Sequence, residues 1–91
     1  MSRKRQNTKH QLAQREALER ELEAIAPISQ EQLHLHSNEG FIDYYLRMAE
    51  LYPTREDAYE RLEHHFKRIF YKRKYADIRS LLRRIKQLYN L

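Results

Sequence analysis

Apolar residues recur at helical spacing along most of the chain. Leu18, Leu22 and Ile25 fall at steps of four and three, with Leu12, Ala17 and Ala24 beside them, and predict a first helix over 11–26. Glu16 and Arg20 support it as an i,i+4 pair, and Pro27 ends it. Its stripe is narrow, so it suits either a helix docked on the chain's own core or the seam of a coiled coil. This helix is expected to be the least firmly held element, or to meet a second chain through Leu18, Leu22 and Ile25. Ser29 followed by Gln32 fits a capping box and predicts a short helix or turn over 30–35. His36–Gly40 contains the only glycine and predicts a loop. Phe41, Ile42, Tyr45, Leu46, Ala49 and Tyr52 share one face of a helix over 41–51, which Pro53 stops. Thr54, with Asp57 three residues on, caps a longer helix. Ala58, Tyr59, Leu62, Phe66, Ile69 and Phe70 form its apolar stripe, and Glu63 with Lys67 is expected on its outer side.

No Gly or Pro separates that helix from the last apolar pattern, Ile78, Leu82, Ile85 and Tyr89. At the helical step of about 100° per residue, the two stripes differ in phase by roughly 130°. One straight helix could not bury both against the same core. A turn is therefore predicted within Tyr71–Asp77, with Tyr75 near its apex and a final helix over 76–89.

Composition supports helices throughout. The chain of 91 residues has no Val, six Ile and two Thr against twelve Leu, and a large stock of Glu, Arg, Lys and Gln. Strands favour the first set and helices the second. The expectation is an all-α fold: one small bundle of about four helices over 11–91, preceded by a disordered basic tail over 1–10. With no Cys there is no disulfide framework, and one Gly excludes glycine-rich phosphate loops. No apolar run is long enough to span a membrane, and the basic N-terminus lacks the apolar stretch of a secretory signal. A cytoplasmic protein that does not bind a membrane is expected.

The net charge of +5 hides a division along the chain. Residues 1–10 carry +4, residues 11–65 carry −7, and residues 66–91 carry +8 with Asp77 as their one acid. A third of the chain at +8 is a local field that favours an anionic partner, unless the acidic middle folds against it and neutralises it.

Candidate chemistry is sparse. The four Ser residues carry no nucleophile motif, and paired carboxylates such as Glu60 and Glu63 sit at spacings typical of a solvated helix face. His34, His36, His64 and His65 lack the spacing of a helical metal pair and are expected to be partly exposed. No catalytic residue, metal or cofactor is assigned. The best candidate is the run Phe66–Tyr75, where five cations interleave with five large apolar residues. Lys72, Arg73 and Lys74 would meet phosphates, and Tyr71 and Tyr75 are candidates for stacking on a base or for an interface. In the last helix, Arg79, Arg83 and Lys86 cluster opposite the apolar stripe, as in a helix that lies along a groove. Arg84 lies nearer the stripe's edge.

Residues 58–86, with an aromatic-basic turn ending in Tyr75 and an Arg-rich helix with an early Ser80 and then Arg83 and Arg84, resemble a segment of small uncharacterised helical proteins of bacteria and their phages. That resemblance implies a prokaryotic or mobile-element setting and no particular activity. The expected function is nucleic-acid binding through phosphate contacts from Lys72, Arg73, Lys74, Arg79, Arg83 and Lys86. The alternative is a non-catalytic protein-interaction module, an adaptor, an inhibitor or a self-associating helical protein, whose basic face docks an acidic partner.

Overall fold

The computed structural model describes residues 7–26 and 29–89, and among them every regular element is an α-helix. They are α1 (Lys9–Glu23), α2 (Gln30–His36), α3 (Asn38–Ala49), α4 (Arg55–Phe70) and α5 (Ile78–Tyr89). The first six residues of the expected tail and Pro27 lie outside the described residues. The expectation of a tail reaching residue 10 is corrected: Lys9 and His10 form the first turn of α1.

Every helix starts where a short polar side chain can take an unpaired backbone N–H. Thr8 and Gln11 bond reciprocally, hydroxyl to backbone and side-chain amide to backbone. The Ser29, Ser37 and Thr54 hydroxyls accept from the N–H groups of Gln32, Gly40 and Asp57. Asp77 takes both the N–H and the hydroxyl of Ser80 at the start of α5. Each such cap stabilises its helix by about 0.5–2 kcal/mol.

The expected loop at 36–40 is also corrected. Ser37 alone separates α2 from α3, and Gly40 lies buried in the first turn of α3. A Cβ built at Gly40 would stand 1.7 Å from the His34 carbonyl oxygen. The glycine is there for close approach of two backbones, not for a flexible loop.

The core is carried by α3 and α4. Phe41, Ile42, Tyr45 and Met48 of the first meet Ala58, Tyr59, Leu62 and Phe66 of the second, all buried. Leu18 and Leu22 of α1, Leu35 of α2 and Leu81 of α5 close it. The Phe41 ring stands edge-on to Phe66, Tyr59 and Tyr75, at centroid distances of 5.7, 6.4 and 5.4 Å. Because α3 is covered on more than one side, Tyr44 and Met48 are buried as well, whereas Leu46 is exposed. In α5 the buried position is Leu81, flanked by Ile78 and Ile85, and Leu82 and Tyr89 face solvent.

For the first helix, the expectation of a contact with a second chain through its apolar stripe is corrected. Leu18 and Leu22 are buried in the chain's own core and Ile25 packs partly against it, so these three do not supply a free face for a second chain. What holds α1 beyond this apolar contact is Glu19. Its carboxylate accepts from the Tyr52 hydroxyl and, at 2.6 Å, from Arg61 Nε, and it lies 3.1 Å from His65 Nε2. Arg47 forms a two-pronged pair with Glu21, and Arg68 donates to the Leu22 carbonyl. His65, expected at the surface, is buried. Burial holds its imidazole below the usual range despite Glu19 beside it. Its Nδ1 has no hydrogen-bond partner among the described residues. A neutral ring that donates from Nε2 to Glu19 fits both facts.

Candidate nucleic-acid interface

Tyr71–Asp77 breaks the helix where the phase shift places a turn, so α4 and α5 are separate helices. The turn is organised around Glu63, which is buried rather than on the outer side of α4. Its carboxylate accepts from the backbone N–H groups of Lys74 and Tyr75 at 2.8 and 2.9 Å and from the Tyr59 hydroxyl at 2.6 Å. An acceptor-only group thus faces three donors in a place closed to water. Burial, and then the bond to Glu63, push the Tyr59 hydroxyl well above its ordinary range.

Arg73 folds back over the same assembly. It grips both oxygens of Glu60 at 2.9 and 3.1 Å, and donates to the Tyr75 carbonyl and the Tyr59 oxygen. The Lys74 ammonium donates to the His36 carbonyl and stands over the Phe66 and Tyr75 rings. The Tyr75 hydroxyl donates to Asn38 at 2.7 Å, and its ring packs on Phe41. Three residues that the sequence places in the interface therefore have partners within the protein itself: Arg73, which stays exposed, Lys74 and Tyr75 tie the turn to α4, α2 and α3.

The rest point outward. Lys72, Arg79, Arg83 and Lys86 are exposed, as is Arg84. Arg79, Arg83 and Lys86 fall at i, i+4 and i+7 on α5 and span about 10 Å of its length. Of the nine Lys and Arg residues after position 65, Arg73 is the only one in an ion pair among the described residues. The acids paired with arginine, Glu19, Glu21 and Glu60, hold Arg61, Arg47 and Arg73. Internal neutralisation thus reaches the turn and stops before α5. Asp77 at the start of α5 feels the charges of Arg79 and Arg83 but pairs with neither, and such a row of exposed cations attracts a polyanion and meets successive phosphates.

The positioning residue that sequence reasoning missed is Glu63. A signal was present: it falls one turn after Tyr59 and beside Phe70 on the helical wheel, at the edge of the apolar arc. A carboxylate in that place needs partners, and the turn supplies them. Among the described residues, no three His, Asp or Glu side chains are placed to hold a metal ion. None of their helices is long and apolar enough to cross a membrane.

No family model, curated protein or solved structure matches the chain.

Proposed function

We propose that the protein binds nucleic acid through phosphate contacts from the outer face of α5 and the turn before it. Arg79, Arg83, Lys86 and Lys72 make the contacts. Arg73, Lys74 and Glu63 hold the turn that sets α5 against the core. The observation that carries this reading is that Arg79, Arg83 and Lys86 form no ion pair among the described residues, whereas Arg47, Arg61 and Arg73 each hold a carboxylate. A charge row without ion pairs has little internal competition to overcome when phosphates arrive, Asp77 being the one acid that interacts with it.

The test is direct binding of purified protein to a random-sequence duplex and a single strand across a salt series. With four phosphate contacts, the log–log slope on duplex is expected to be about −4. No binding at low salt would overturn the reading.

One observation favours a second reading, the protein-interaction module. Leu46 and Leu82 are exposed along a shallow groove between α3 and α5, with Ile85 at its floor. An acidic amphipathic partner would place its apolar side there and its carboxylates on Arg79, Arg83 or Lys86. Failure of nucleic-acid binding, with the same three cations needed to retain an acidic protein partner, would support it.

A further inference from the structure

The turn contains one backbone outlier. Tyr71 ends α4 with φ 64° and ψ 16°, and it is the only non-glycine residue with positive φ among those described. The left-handed region is ordinarily taken by Gly at a helix end, because a side chain there is strained. Here the side chain is a large aromatic ring, and it is 89% exposed, the most of any large apolar residue described. A strained position filled by a ring that the fold does not bury calls for a reason outside the fold.

The surroundings suggest the reason. Lys72 follows Tyr71 directly and is exposed. Burial holds the Lys74 ammonium below its usual range against the attraction of Glu63, and the like charges of Lys72 and Arg84 add to the lowering. Lys72, Lys74 and Arg84 thus lie near one another around the turn that Tyr71 opens, and the Glu63 carboxylate there is committed to backbone donors. Tyr75, the other tyrosine of the turn, is removed from competition by its bond to Asn38 and its packing on Phe41.

Resting on the nucleic-acid reading, we infer that Tyr71 is a stacking platform for an unpaired base, with Lys72 and Arg84 taking the flanking phosphates, so that the favoured ligand is single-stranded. A duplex hides the faces of its bases in the stack, and its phosphates can meet only the cations. A single strand offers both.

The experiment compares wild type, Tyr71→Gly and Tyr71→Phe. Each is titrated against an oligothymidylate of about 12 nucleotides, within the range of single-strand site sizes, and a random-sequence duplex of similar length. Gly suits the left-handed backbone, so Tyr71→Gly should fold at least as stably as wild type, checked by thermal unfolding. The expected result is tighter binding of the single strand by wild type, and a loss of about 5- to 150-fold for Tyr71→Gly on that ligand alone. Tyr71→Phe should keep the affinity, since the ring remains. Equal single-strand binding by wild type and a folded Tyr71→Gly would overturn the inference and leave the phosphate reading in place. Equal losses on duplex and single strand would also overturn it. Absence of binding to either ligand by wild type would overturn both.

Discussion

Replacing Glu63 by Ala should unfasten the turn that positions α5. The side chain is 1% exposed and accepts three hydrogen bonds, two of them from the backbone of Lys74 and Tyr75. Removal leaves two N–H groups and one phenol without acceptors, and a buried unsatisfied donor costs about 1–3 kcal/mol. The turn can relax toward water and recover part of this, because Arg73 and Lys72 are already exposed. A net loss of about 3–5 kcal/mol is expected, a large share of the stability of a domain this small. Urea unfolding followed by circular dichroism measures it. Amide exchange adds a local readout, since the Lys74 and Tyr75 protons should lose protection before those of Tyr59 and Leu62. Glu63→Gln should recover only part of the loss, because an amide has one acceptor oxygen where the carboxylate has two. A Glu63→Ala protein within about 1 kcal/mol of wild type, with Lys74 and Tyr75 still protected, would refute the claim that Glu63 organises the turn.

Gly40→Ala should destabilise by about 3 kcal/mol or more in the same assay, because the new methyl would meet the backbone carbonyl of His34 first and the base of its ring next. Stability should also fall as pH drops below about 6.5: burial keeps His65 neutral in the folded chain, so only the unfolded chain takes up that proton. A second decline should follow below about 4.5, where Glu19 is involved. Burial opposes its charge, but the bonds from Tyr52, Arg61 and His65 outweigh this and hold its pKa down, so the stability it gives above that range is lost on acidification. Unfolding measured from pH 8 to about pH 2 should show both declines, and His65→Gln should flatten the upper one. A profile that stays level down to pH 4 would contradict the assignment.

Much of the helical framework was legible because it rests on local chemistry. Thr54 announces its helix in four residues, and the phase shift between Leu62 and Ile78 fixes the turn without Gly or Pro to mark it. The misreadings share one physical cause. Gly40, Glu63 and His65 depend on what a second element brings to them, a carbonyl, two backbone amides and a carboxylate, and no local pattern contains that information. Leu81 and Leu82 stand about 100° apart on either side of Ile78 and Ile85, and which of them is buried depends on how α5 lies on α3 and α4. The candidate site divides in the same way. The outward row of α5 follows from its spacing, whereas Arg73 and Lys74 are cations whose partners, Glu60 and the His36 carbonyl, lie in other helices.

The central claim is that Arg79, Arg83 and Lys86 meet phosphates, and the salt dependence of duplex binding tests it most directly. Wild type and the triple variant Arg79→Gln, Arg83→Gln, Lys86→Gln are titrated against one random-sequence duplex at several salt concentrations. All three residues are exposed, so the variant should unfold as wild type does. The log–log slope should drop from about −4 to about −1, with affinity at low salt reduced by orders of magnitude. A variant that keeps the wild-type slope and affinity would contradict the account.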